Sequence, residues 1–83
     1  MKRITVTVDD DVDEAICLFM AKLLEYRKMK SPKYTRALNL LIRAALHIIS
    51  NMRVVDIMST PSIPERLNRE TIEDAIMKLL DVL

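Results

Sequence analysis

The feature that most constrains this fold is the contrast between its first eight residues and everything after them. From Arg3 onward, polar and apolar residues alternate strictly: Ile4, Val6 and Val8 against Arg3, Thr5 and Thr7. Side chains of a strand alternate between two faces, so this spacing predicts a β-strand with one apolar and one polar side. After Asp9 the apolar residues recur at helical spacing. A lone strand cannot satisfy its own backbone N–H and C=O groups. No second segment among the 83 residues alternates convincingly. The simplest partner is the same strand of a second chain. The expected fold class is therefore mainly α, with one N-terminal strand paired antiparallel across a homodimer and an additional C-terminal helix. In that arrangement Arg3, Thr5 and Thr7 look outward.

The length suits one small domain with a modest core. A hydrophobic content of 51% is high for such a chain. Much of that surface is expected to close in a dimer; a tightly packed monomeric bundle is the alternative. No run of 18 apolar residues occurs, so no membrane span is expected. The longest apolar stretch, Ala37 to Ile49, is interrupted by Asn39, Arg43 and His47. The N-terminus lacks the apolar core of a signal peptide, and the single cysteine, Cys17, cannot form an internal disulfide. Both point to the cytoplasm. The chain has no glycine, which argues against phosphate-cradling glycine loops and nucleotide-dependent chemistry.

The net charge is only +1, but it is unevenly spread. Residues 1–53 hold ten Lys/Arg against six Asp/Glu, and residues 54–83 hold three against six. Arg27, Lys28, Lys30, Lys33 and Arg36 fall within ten positions with no acid among them. Such a run is either a solvated loop or an edge that contacts phosphates.

Asp9, Asp10 and Asp11 suit the positive end of a helix, and Asp10 or Asp11 with Asp13 or Glu14 fits a capping box. The first helix carries Val12, Ala15, Ile16, Phe19, Leu23 and Tyr26 on one stripe, widened by Cys17, Met20 and Leu24, and is expected to run to Met29 or Lys30. Ser31-Pro32 is a break. The second helix is expected to start at Pro32 with Ser31 as cap, or slightly later with Thr35 as cap. It is apolar nearly all round and so should be buried nearly all round, against a partner chain. Residues 53–64 form a connector in which Val54 to Met58 is either helix or extended chain. Ser62 and Glu65 fit a second capping box. A third helix over residues 65–83 sets Leu67, Ile72, Ile76, Leu79 and Leu83 on one seam, with Asp74 and Lys78 placed to pair.

Strand, helix, helix, in that order over the first fifty residues, resembles the ribbon-helix-helix family of DNA-binding repressors. The residues that carry the likeness are Lys2-Arg3-Ile4-Thr5-Val6-Thr7-Val8, then Val12, then Leu41-Ile42-Arg43-Ala44-Ala45-Leu46. The resemblance implies a homodimeric regulator of transcription, a repressor, that inserts a two-stranded ribbon into the major groove of duplex DNA. Carried over by position, it implies base contacts from Arg3, Thr5 and Thr7. It implies phosphate contacts around the start of the second helix, from Ser31 to Thr35. With the neighbouring cations, the expected phosphate set is Lys2, Lys30, Ser31, Lys33, Tyr34, Thr35 and Arg36. The first helix is longer than the family's, and the turn before the second lacks the usual glycine. The third helix resembles elaborated variants of archaeal viral and plasmid regulators, which implies association with nucleoid or viral DNA.

The rest of the chain's chemistry is sparse. His47 has no second histidine beside it, Cys17 is expected in the core, and the acid cluster of residues 9–14 is explained by a helix start. No metal, cofactor or catalytic site is expected. The domain reading is residues 1–52 for DNA binding and dimerisation, 53–64 as connector and 65–83 as a helix packing on the dimer. The rival reading is an antitoxin-like or adaptor protein whose residues 65–83 dock on a protein partner.

Overall fold

Four helices carry the fold: α1 (Asp10–Glu25), α2 (Tyr34–Ser50), the short α3 (Val54–Met58) and α4 (Arg69–Val82). They are seen in a computed structural model that describes residues 1–83. The core is the face of α1 predicted from its periodicity. Ala15, Ile16, Phe19 and Leu23 are buried there, joined by Ala37 and Ala44 of α2 and by Ile72, Ile76, Leu79 and Leu80 of α4. Val8, Val12, Leu41 and Leu67 pack around this cluster.

The expected strand is absent. Residues 1–9 belong to no helix or strand, which overturns a ribbon-helix-helix with an N-terminal strand as the fold class. The physical reason lies in the sequence. A ladder needs a second row of backbone donors and acceptors, and no other segment of the chain alternates to supply one. Nor does the apolar side of the alternation find a core. Ile4 is 70% and Val6 56% exposed, and only Val8 reaches the helices.

Helix ends differ from expectation where non-local or unusual backbone contacts set them. α1 stops at Glu25, not at Met29 or Lys30, because Arg27 takes a left-handed conformation with φ of 54°. Lys28 N–H then donates to the Leu23 carbonyl at 2.9 Å and Arg27 N–H to the Leu24 carbonyl at 3.2 Å. This is the paired closure of a Schellman motif, with arginine where glycine is usual. Tyr26, expected on the buried stripe, is instead the cap residue and is half exposed. Cys17, expected in the core, is exposed.

At the start of α1, Asp9 is the N-cap without a side-chain bond, so the expected capping box does not form. The Asp11 carboxylate instead accepts the Leu67 N–H at 2.8 Å, tying the approach to α4 onto α1. That bond is the main cause holding the Asp11 carboxyl below its ordinary value. α2 begins at Tyr34 with Lys33 as N-cap, not at Pro32, and neither Ser31 nor Thr35 caps it. α3 settles the ambiguous connector as helix: Asp56 accepts from Arg53 N–H at 3.3 Å and from Arg53 Nε at 3.4 Å. α4 begins at Arg69, with the Asn68 side chain accepting from Thr71 N–H at 2.8 Å, so the Ser62–Glu65 box is not its start.

α4 runs alongside α1 in the same direction. At one end Arg69 pairs with Glu14; at the other Lys28 Nζ donates to the Leu83 carbonyl at 3.3 Å. Of its expected seam, Ile72, Ile76 and Leu79 are buried with α1 of the same chain, Leu67 is partly buried and Leu83 is 38% exposed. The expected Asp74–Lys78 pair is present at 2.9 Å. No helix is long and apolar enough to cross a membrane.

Candidate nucleic-acid interface

A surface that binds a polyanion needs cations that are exposed, unpaired and grouped away from carboxylates. The chain has one segment of that composition. From Tyr26 to Val55, thirty residues, there is no aspartate or glutamate and there are seven Lys/Arg: Arg27, Lys28, Lys30, Lys33, Arg36, Arg43 and Arg53. All seven are exposed. Within the run only Arg53 is ion-paired, with Asp56 just beyond its end, whereas outside it Arg69 is shared between Glu14 and Glu73, Lys78 is paired with Asp74 and Lys22 with Glu25.

The fold sorts these cations into two groups. The Tyr34 hydroxyl donates to Asp13 Oδ1 at 2.7 Å, so α2 begins beside the first turn of α1. Asp13 is four residues from Asp9, where the N-terminal segment joins the helix. The start of α2, with Lys33, Thr35 and Arg36, therefore lies at the same end of the molecule as the root of the arm carrying Lys2, Arg3, Thr5 and Thr7. The structure thus sets the start of α2 beside the root of that arm. Arg27 and Lys28 sit at the other end of α1, beside the C-terminus of α4. A helix of 16 residues is about 24 Å long, so the ten-residue basic cluster is strung along the molecule, not gathered in one patch.

Arg3, Thr5 and Thr7 are exposed and make no hydrogen bond or ion pair with the rest of the chain, as does Lys2. They hang from a segment anchored only at Val8. Lys30, Ser31, Lys33, Thr35 and Arg36 are likewise exposed. Tyr34 is not available in the same way. Its bond to Asp13 is the first cause, and burial the second, that push its hydroxyl pKa up to about 12. Tyr34 therefore positions the start of α2, and its proton is committed to a carboxylate.

Two cations fall outside the basic cluster read from the sequence. Arg43 and Arg53 complete the acid-free run, and the absence of acids as far as Val55 was the signal that could have found them. Along α2, Arg36, Arg43, His47 and Ser50 follow at steps of seven, four and three residues, which places them on one exposed stripe. Acids lie close to the arm's root as well. Asp11, Asp13 and Glu14 are occupied by Leu67, Tyr34 and Arg69, but Asp9 and Asp10 have no partner. These two oppose a phosphate at that end. A shallow polar groove nearby is lined by Asp9, Asp10, Asp11, Glu65 and Arg66 and has no grouping suited to holding a metal ion.

No family model matches this chain, and neither a curated protein nor a solved structure does.

Proposed function

We propose that this chain is a sequence-specific double-stranded DNA-binding regulator of transcription, a repressor, acting in the cytoplasm on nucleoid or viral DNA without a cofactor. The observation that carries the reading is the acid-free run from Tyr26 to Val55, with seven exposed Lys/Arg in a chain whose net charge is +1. In place of a paired ribbon, the reading element is the free arm. Arg3 can donate two hydrogen bonds to a guanine edge, and Thr5 and Thr7 offer hydroxyl and methyl groups to neighbouring bases. Lys2, Lys33, Arg36 and Arg43 supply phosphate contacts, which set orientation and most of the affinity.

The test is the affinity of the full chain for short random duplexes, read by fluorescence anisotropy over a salt series. Each neutralised phosphate contributes about −0.9 to the slope of log affinity against log salt. A slope steeper than about −3, followed by a consensus from selection out of random duplex DNA, supports the reading. Absence of binding at low salt overturns it.

A further inference from the structure

The chain leaves too much apolar surface in water for a compact monomer. A folded protein of 9.6 kDa exposes about 5,100 Å² by the usual size scaling, whereas this one exposes 7147 Å². Its radius of gyration is 13.5 Å, against about 12 Å expected for its length. Part of the excess is the N-terminal arm. Another part is one side of α2. That helix buries only Ala37 and Ala44, while Ile42, Leu46 and Ile49 are exposed by 51%, 61% and 51%. Ile42, Ala45, Leu46 and Ile49 fall on one exposed stripe turned away from the buried pair, with Leu38, partly buried against the core, at its start. No charged residue interrupts it.

We propose that a second copy of this chain packs along this α2 stripe, the two α2 helices running antiparallel about a two-fold axis. The stripe is complementary to itself in that direction. Antiparallel pairing centred between residues 45 and 46 sets Ala45 of one copy against Leu46 of the other, small against large, and Ile42 against Ile49. Parallel pairing sets Ala45 on Ala45, leaving a gap, and places the two helix dipoles side by side in the same direction. Val54, Val55 and Met58 of α3 are a further 71%, 61% and 79% exposed. A standard interface takes about 800 Å² from each partner, and the exposed α2 side chains reach that order if α3 joins them in the interface. An isologous pair of this kind is the commonest closed assembly.

A two-fold axis perpendicular to antiparallel helices carries a stripe on one side of a helix to the same side of its partner. Arg36, Arg43 and His47 of both copies then share one face. The interface does not depend on the DNA reading, because it is measured without DNA.

Sedimentation velocity of the full chain at about 10 µM reads the assembly. A species of twice the 9.6 kDa chain mass is expected. Leu46→Asp, at a position already exposed in the single chain, should give a monomer with unchanged helical circular dichroism. Met77→Asp, on the outer side of α4, should remain dimeric. In a Cys17→Ser background, Ala45→Cys should cross-link on oxidation and Leu38→Cys should not, since antiparallel pairing carries the two Leu38 positions apart. A folded wild-type monomer at that concentration, its α2 face open to some other protein, overturns the proposal. So does a dimer indifferent to Leu46→Asp, or one that cross-links through Leu38→Cys as readily as through Ala45→Cys.

Discussion

α4 and α2 look alike as sequences, each an amphipathic helix of four or five turns, yet they end in opposite situations. α4 buries Ile72, Ile76, Leu79 and Leu80 against its own chain and turns Glu70, Glu73, Asp74 and Asp81 outward. α2 fully buries only two alanines, packs Leu38, Leu40 and Leu41 at the edge of the core and leaves Ile42, Leu46 and Ile49 in water. The difference follows from how many apolar stripes each helix has. α4 has one, and α1 covers it. α2 has two, separated on one side by Arg36, Arg43 and His47, and a chain of this size has only enough other helix to cover one. α4 is thus a helix of the folding unit, and α2 a helix with a surface to offer.

The largest effect expected from this contrast is on stability. Ile76→Ala should lower the unfolding free energy by about 2–5 kcal/mol, because Ile76 is buried between α4 and α1. Leu46→Ala, measured where the chain is monomeric, should cost within about 0.5 kcal/mol, as exposed positions do. Urea denaturation of the two variants checks this. Equal losses would erase the distinction between the helices.

The next effect is on recognition. Arg3→Ala should weaken binding to the preferred duplex by about 1–3 kcal/mol if its bidentate guanine contact is lost, and should relax preference at one base position. Stability should not change, because Arg3 touches nothing in the body of the molecule. Unchanged affinity with unchanged preference would show that the arm reads no base.

Arg27→Gly should be stabilising, by about 0.5–1 kcal/mol, since the left-handed conformation at this position carries a penalty for any residue with a Cβ. A loss of stability would mean that the Arg27 side chain makes a contact more valuable than the backbone relief.

The smallest effect is a pH dependence. The Tyr34 pKa is raised from 10.0 to about 12, so its folded form holds the proton more tightly than the unfolded chain does. The stability from its bond to Asp13 is fully present below pH 10 and is lost as pH rises toward 12. Tyr34→Phe should flatten that loss. Asp11 works in the opposite sense: its carboxyl is lowered from 3.8, so its contribution is present above that value and is lost as pH falls below it. Denaturation midpoints of wild type and Tyr34→Phe between pH 9 and 12, and of wild type and Asp11→Asn between pH 5 and 2, test both signs.

What could be read from the sequence divides along the same line between local and distant contacts. The buried face of α1, the seam of α4 and the Asp74–Lys78 pair follow from helical periodicity, which is local. The end of α1 does not, because it depends on Arg27 entering a region that glycine would ordinarily signal, in a chain with no glycine. The roles of Asp11 and Tyr34 do not either. One bonds across 56 positions and the other across 21, and no spacing rule connects them. The strand failed for a related reason: alternation specifies which side chains share a face but does not provide the neighbour whose backbone completes the ladder. Of the candidate site, the basic cluster and the arm were legible as composition. That the start of α2 sits beside the arm's root was not, since it rests on the Tyr34–Asp13 bond.

In the proposed function, position and not net charge is what lets the α2 surface bind phosphate. Arg43→Ala and Arg69→Ala change the net charge equally, but Arg43 is exposed on the basic stripe, whereas Arg69 is held by Glu14 and Glu73. Duplex affinity across a salt series, measured for both variants beside the wild type, separates the two. Arg43→Ala is expected to reduce the magnitude of the salt slope by about one and to weaken all sequences alike, while Arg69→Ala is expected to leave the slope unchanged. Equal changes in the two variants, or none in either, would contradict it.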